Sequence, residues 1–234
     1  MFVNRMEAGK QLYLKLVQFL SKSGLANNSK IAVVALPRGG VPVAVELARK
    51  FACPLEILVA KKLSYPEQPE YAIGAVSSNG IVVVSPDIPQ TPQWKEYIEQ
   101  QRLSLLQKTV GMEKRFYDLA GRQRASFKDK LVILVDDGIA TGMTALAALM
   151  SLKQEGASHV IMASPVMSKD SYQKLHEFCD AVVALRTPED FNSVGEYYQD
   201  FEQTTNEEVI DSMRDSTHFL RRYDSHNLKN ESFG

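Results

Sequence analysis

Apolar residues follow two rhythms along this chain, and the two alternate. Solid apolar runs occupy 31–36, 55–60, 131–135, 159–163 and 181–185, rich in Val, Ile, Leu and Ala. Runs of that length without alternation predict strands covered on both faces. Between them the spacing turns helical. Leu12, Leu16, Phe19 and Leu20 predict a helix over 6–20, and a second is predicted over 41–51, with Pro42 tolerated in its first turn. A long helix is predicted over 94–119 with Gly111 as a break point, and others follow from 145, over 169–178 and over 205–213, the last from an N-cap at Thr205. Residues 24–30 predict a turn. Residues 63–70 hold two prolines and no period, which predicts a loop. The segments 71–76 and 81–84 predict paired strands around Asn79-Gly80, a strong turn signal. There is no internal repeat and no low-complexity tract.

Strands alternating with helices predict a three-layer α/β fold with a mainly parallel central sheet. Ligands of such sheets bind beyond the carboxyl ends of the strands. Three chemically loaded segments fall at predicted strand ends: Pro37-Arg38-Gly39-Gly40, Lys61-Lys62, and Asp136 to Thr144. They are expected to converge on one crevice.

The third segment says most. The strand 131–135 is followed by Asp136-Asp137-Gly138-Ile139-Ala140-Thr141-Gly142-Met143-Thr144 and then by a helix-forming run. Open N–H groups at a helix N-terminus favour a phosphate, by roughly 0.3–1 kcal/mol per charge at an exposed site. Glycines let the backbone approach it, and threonine hydroxyls add donors. The carboxylates would repel that phosphate. They suit the two hydroxyls of a ribose, or metal-bound water. Strand, acidic pair, Gly/Thr loop and helix start together read as a site for a phosphorylated sugar. Pro37 to Gly40 offers one guanidinium fork and two bare peptides, an anion cradle. Lys61-Lys62 would offset a polyanion.

Residues 131–144 resemble the PRPP-binding loop of the type I phosphoribosyltransferases: apolar residues, two acidics, a few small residues, then Thr-Gly-x-Thr. Arg38-Gly39 is similar to the Arg-Gly of adenine phosphoribosyltransferases. The segments Leu36 to Pro42, Lys61 to Leu63, Gln68 to Ala75, Asp136 to Gly138 and Val194 to Tyr198 resemble bacterial phosphoribosyltransferase-domain proteins of undefined substrate. The resemblance reaches about Met213.

The resemblance implies a type I phosphoribosyltransferase fold with a small hood: a core over 1–185, a C-terminal hood over 186–216 and a flexible end over 217–234. It implies a glycosyltransferase of the pentosyl class. PRPP donates its phosphoribosyl group to a nitrogenous base and releases pyrophosphate, as in nucleotide salvage and nucleoside metabolism. Asp136 and Asp137 would hold the ribose, Ala140 to Thr144 the 5′-phosphate, and Arg38, Gly39 and Gly40 with Lys61 or Lys62 the departing pyrophosphate; Pro37, Gly138 and Ile139 complete the PRPP-binding loops. Residues 63–71 would be the mobile active-site loop. Mg2+ would be held mainly by PRPP, with Asp136 or Asp137 reaching it through water and no protein cage. Family members are often homodimers.

The tail is turn-rich over 187–195 and then aromatic. Phe191, Val194, Tyr197 and Tyr198 are candidates for the base-facing hood, where aromatics either stack on a flat base or form a satellite core. The four histidines have no metal spacing. Where hypoxanthine and guanine enzymes carry an Asp before the Thr-Gly, this chain has Ala140. A general base contributes roughly 10²–10⁴-fold, so its absence disfavours that type of 6-oxopurine substrate. The basic loop of orotate enzymes has no match in 63–71. The acceptor stays open.

Composition narrows the alternatives. The 234 residues are 44% hydrophobic and 24% charged, as in soluble globular proteins, and the net charge of −1 offers no field to attract nucleic acid. Two cysteines without a CxxC fit a reducing compartment. The first ten residues lack an apolar leader core, and no apolar run reaches the roughly 18 residues of a membrane span, so a cytoplasmic protein is expected. A non-catalytic PRPP-binding regulator is the chief alternative; one that binds DNA needs a basic helix-turn-helix or surface. A nucleotide hydrolase needs a Gly-x-x-x-x-Gly-Lys-Ser/Thr loop, which is absent. A receiver domain needs a lysine on a late strand, and none is convincingly placed there.

Overall fold

Helices intervene between the central strands, so the strands run parallel and are covered on both faces. A computed structural model describes residues 1–25 and 30–217, with backbone alone at 69 and 70. Most of the predicted turn at 24–30, the C-terminal segment beyond Thr217, and His218 and His226 within it, lie outside the described residues. In chain order the elements are α1 (Arg5–Ser23), β1 (Lys30–Ala35), α2 (Gly40–Lys50), β2 (Leu55–Ile57), β3 (Ala60–Tyr65), β4 (Gln68–Ser77), β5 (Val82–Val84) and α3 (Pro92–Ala120). Then come β6 (Lys130–Val135), α4 (Met143–Gln154), β7 (His159–Val166), α5 (Lys169–His176), β8 (Ala181–Arg186), a 3-10 turn (Val194–Tyr197) and α6 (206–217).

The central sheet has five parallel strands in the order β2-β1-β6-β7-β8. Successive residues of a strand face opposite sides. Val33, Ala35, Ile133, Val135 and Ile161 join one core with α1, α2, the end of α3 and α6. Ala32, Val34, Val132, Leu134 and Met162 join the other with α4 and α5. The three-layer α/β architecture expected from the alternation is the one found. No described helix is long and apolar enough to cross a membrane. Cys53 and Cys179 are free and buried, and burial pushes the Cys53 thiol up to about 11.

Three readings of the sequence are corrected. Residues 63–70 do not form a loop: β3 and β4 make an antiparallel hairpin whose tip pairs Tyr65 with Gln68. Leu63, Ile73, Val76 and Ile88 bury one face of that hairpin under the first half of α3, which outweighs the missing periodicity. The two prolines sit at the hairpin tip, where few ladder bonds are required. The apolar run 55–60 is split. Leu58 N–H still reaches Ala35 O at 3.1 Å, but from Ala60 the chain leaves for the second sheet, ordered β3-β4-β5. Lys61 and Lys62 therefore lie within β3, not beyond β2. Finally, α3 runs 29 residues without a break at Gly111, where an added Cβ would meet nothing within 4 Å.

A buried polar knot fixes the C-terminal helix to the sheet edge. The Tyr117 hydroxyl donates to Glu56 Oε2 at 2.6 Å, and the Arg122 guanidinium pairs with the same carboxylate. Arg122 also donates to Leu55 O at 2.8 Å, Met213 O at 3.1 Å and Ser216 Oγ at 3.1 Å. Removing one partner strands a buried charge. Arg122→Ala is expected to lower unfolding stability by about 3–5 kcal/mol in urea titration. A loss under about 1 kcal/mol would place the knot outside the stabilising core.

Candidate functional site

The site forms where β1 and β6, paired in register, release the chain side by side. After β1, Leu36 N–H donates to Val135 O at 2.9 Å, and the Pro37–Arg38 peptide is cis. Gly40 N–H then donates to Leu36 O at 3.1 Å, and α2 begins. This turn lies against the acidic pair. A Cβ on Gly39 would stand 2.2 Å from Asp137 Oδ2, and one on Gly40 would stand 2.6 Å from Val135 O. No side chain fits at either place. Two of the three predicted strand-end segments are thus in contact.

The loop after the acidic pair is held from the far side. Ile139 N–H donates to Val166 O at 3.0 Å and Ser168 N–H to Ile139 O at 2.9 Å. The hydroxyls of Ser168 (2.6 Å) and Ser171 both donate to the Ala140 carbonyl. Gly142 takes a left-handed φ of 72°, which favours glycine, and α4 starts at Met143 with no side-chain cap. Among the described residues, no group accepts from the N–H groups of 140–145. They form an open row at a helix N-terminus. Thr141 is exposed and Thr144 half-buried, whereas the Ile139 and Met143 side chains are buried in the core. Those two residues offer the loop backbone only.

The two carboxylates live in unequal surroundings. Asp136 Oδ1 accepts from Asp137 N–H at 2.9 Å. Burial, and then the charge of Asp137, hold the Asp136 carboxyl well above the usual carboxylate range. Asp137 is buried, and its Oδ2 accepts from Arg5 Nε at 2.7 Å. Arg5 escaped the reading of the sequence. It lies 132 positions away, and only the apolar face of its helix carried a signal.

The tail closes over this pair together with the N-terminus. Phe2 N–H donates to Tyr197 O at 2.7 Å and Gln199 N–H to Phe2 O at 2.8 Å. The Tyr198 hydroxyl donates to Asp137 O at 2.6 Å. Tyr198 packs with Phe2, Ala8 and Val166, in a satellite core. Val194 covers Gly138 so closely that a Cβ there would fall 2.3 Å from Val194 Cγ1. Phe191 stacks on Tyr197 with ring centres 5.5 Å apart. Lys61 and Lys62 are neighbours on a strand and so face opposite ways. Lys61 is half-buried, Lys62 is exposed, and neither makes an ion pair among the described residues.

One cleft borders Asp137 and another the loop beyond the acidic pair. The first, of about 490 Å³, is lined by Arg5, Arg38, Gly39, Asp137, Phe201, Gln203 and Thr204. The other, of about 500 Å³, lies between the loop at Ala140-Thr141, the start of α5 and the tail at Phe191-Asn192. Neither is lined by a β3 lysine. No group of three His, Cys, Asp or Glu side chains among the described residues makes a metal cage. The adjacent carboxylates suit Mg2+, which commonly takes one or two carboxylates and completes its shell with water and substrate phosphate.

The raised Asp136 carboxyl has a measurable consequence. The unfolded chain gives up this proton near pH 4, before the folded protein does, so rising pH costs stability through Asp136 until it ionises in the fold. Asp136→Asn, which can still accept from Asp137 N–H, is expected to raise the melting temperature relative to the wild type at neutral pH. The gain should shrink as the pH falls towards 4. A difference independent of pH, or a loss at neutral pH, would contradict the strained carboxyl.

Comparison with known proteins shows the family of the chain. Residues 3–202 match the family model "Phosphoribosyl transferase domain", a span that takes in both strand-end loops, the acidic pair, Arg5 and the tail to Glu202. "Putative phosphoribosyl transferase Rv0571c" of Mycobacterium tuberculosis is 36% identical over 214 residues, covering 90% of this chain and 46% of that protein. The chain therefore spans about half the length of the curated relatives it matches. The crystal structure of TT1426 from Thermus thermophilus is 34% identical, with a TM-score of 0.74 over 92% of this chain and 98% of that one. With a family match over most of the chain and relatives above 30% identity, the chain belongs to the phosphoribosyl transferase domain family.

Proposed function

We propose that this protein transfers the 5-phosphoribosyl group of PRPP to a nitrogenous base and releases pyrophosphate, with Mg2+ as cofactor. The observation that carries the reading is the open N–H row of residues 140–145, beside an acidic pair that itself touches the Arg38-Gly39-Gly40 turn. One phosphate, one ribose and one pyrophosphate need that sequence of donors, acceptors and cation.

The loop N–H groups, with the hydroxyls of Thr141 and Thr144, would bind the 5′-phosphate. Asp136 and Asp137 would accept from the ribose hydroxyls, and Arg38 with the bare peptides of Gly39 and Gly40 would take the pyrophosphate. Mg2+ bound with PRPP would supply charge neutralisation for the leaving group, reached by Asp136 or Asp137 through water. The bond between the sugar C1 and the pyrophosphate oxygen would break with the leaving group held by Arg38 and the peptides of Gly39 and Gly40. The base nitrogen would form the new bond from the opposite face, its proton passing to solvent. The developing oxocarbenium charge lies over the carboxylates, so catalysis is positioning plus electrostatic stabilisation. Phe191, which lines the cleft beside Ala140-Thr141 and stacks on Tyr197, would face the base, with Val194 nearby over Gly138. Lys61 and Lys62 line neither cleft, so the pyrophosphate assignment rests on the Arg38 turn without them. A nucleotide-salvage role, a homodimer and a cytoplasmic setting complete the proposal.

Asp137→Asn would break the pair with Arg5 as well as the sugar contact, so Asp136 and Thr141 are the cleaner probes. With PRPP, Mg2+ and a panel of nucleobases, pyrophosphate release is expected to fall by about 10²-fold in kcat for Asp136→Asn. Thr141→Ala should raise KM for PRPP about tenfold and leave kcat nearly intact. Wild-type kinetics in both variants would contradict the assigned roles. Absence of pyrophosphate release with every base would contradict the proposed activity.

A further inference from the structure

Arg5 is held on three sides. Its Nε donates to Asp137 Oδ2 at 2.7 Å, a terminal nitrogen donates to Glu202 O at 2.6 Å, and the Phe201 ring centre lies 3.8 Å from the guanidinium carbon. Its backbone is anchored too. Asn4 caps α1 by accepting from Glu7 N–H at 2.9 Å, and Val3 O accepts from Asp200 N–H at 3.0 Å. The side chains of Arg5 and Asp137 are only 10% and 12% exposed, so water screens the pair weakly. Asp137 Oδ2 is thus taken. Its Oδ1 accepts from no N–H or hydroxyl among the described residues, and Asp137 lines the cleft shared with Arg38 and Gly39.

We propose that Arg5 is a positioning residue of the sugar site: it fixes the Asp137 carboxylate and balances its charge, leaving one oxygen for a ribose hydroxyl. This rests on the PRPP reading given above. Two consequences follow from the contacts. A polyanionic donor meets an acidic pair with one charge already offset, so less repulsion opposes its binding. The tail becomes part of the sugar site as well as a cover for the base, because Phe201 and Glu202 hold the arginine that holds the carboxylate. Lysine at this position would keep the charge and one donor but lose the fork and the stacking face.

Calorimetric titration of magnesium-PRPP and, separately, magnesium-pyrophosphate into the wild type, Arg5→Gln and Arg5→Lys tests the assignment. Pyrophosphate reads the Arg38-Gly39-Gly40 turn without the sugar. Arg5→Gln is expected to lose about tenfold or more in PRPP affinity and clearly less in pyrophosphate affinity, which feels only the lost charge, and Arg5→Lys, which restores that charge, to recover part of the PRPP loss. Arg5→Gln with wild-type PRPP affinity would overturn the role of Arg5 and leave the PRPP reading standing. Equal loss of both ligands in both variants would make Arg5 a structural brace of the tail and overturn the proposal. A wild type that binds no PRPP would overturn the PRPP reading and this inference with it.

Discussion

The parallel pairing of β1 with β6 is the constraint on which the site depends. The ladder runs in register from Lys30 opposite Lys130 to Ala35 opposite Val135, so both strands end at the same level. Whatever follows one must share space with whatever follows the other. The chain meets this with glycine: positions 39 and 40 press on Asp137 and Val135 too closely for any Cβ. Contact between the Arg38 turn and the acidic pair is therefore a packing necessity set by the sheet, and the proposed site for a charged sugar builds on it.

Charge is then distributed unevenly over that contact. Two carboxylates side by side cannot both be comfortable in a half-buried place. Arg5 compensates Asp137, and Asp136 bears the burden of burial and of its neighbour's charge. The loop beyond is arranged oppositely, with unpaired N–H groups and a carbonyl at Ala140 already occupied by two serine hydroxyls. Donor-rich and acceptor-rich regions thus stand side by side, and a ligand with a phosphate near vicinal hydroxyls complements both. Such strained polar arrangements are where a protein gives up stability for function.

Much of this was legible in the sequence, and the exceptions have physical reasons. Solid apolar runs located all five central strands because a strand buried on both faces has no other pattern. The loop from Asp136 to Thr144 stood out because its chemistry is local, each function supplied by residues adjacent in sequence. The hairpin at 60–77 was hidden because its strands are stabilised by the remote α3, and prolines at its tip mimic a loop. The lysine pair was misplaced with it: once the run 55–60 divides between two sheets, the residues after it no longer mark a strand end. Arg5 left no trace because its meaning comes from a contact across 132 positions and from a tail carbonyl. For Tyr198 the sequence left base stacking and a satellite core both open, and burial against Phe2 places it in the satellite core.

The central claim is that this site accepts PRPP, and binding tests it most directly. Magnesium-PRPP titrated by calorimetry into the wild-type protein, alone and with adenine, guanine, xanthine, uracil or orotate, should show saturable binding. One base should enhance it or convert it into heat of reaction. Saturable binding to which no base responds would contradict a nucleobase acceptor, and no PRPP binding at all would contradict the account of the site.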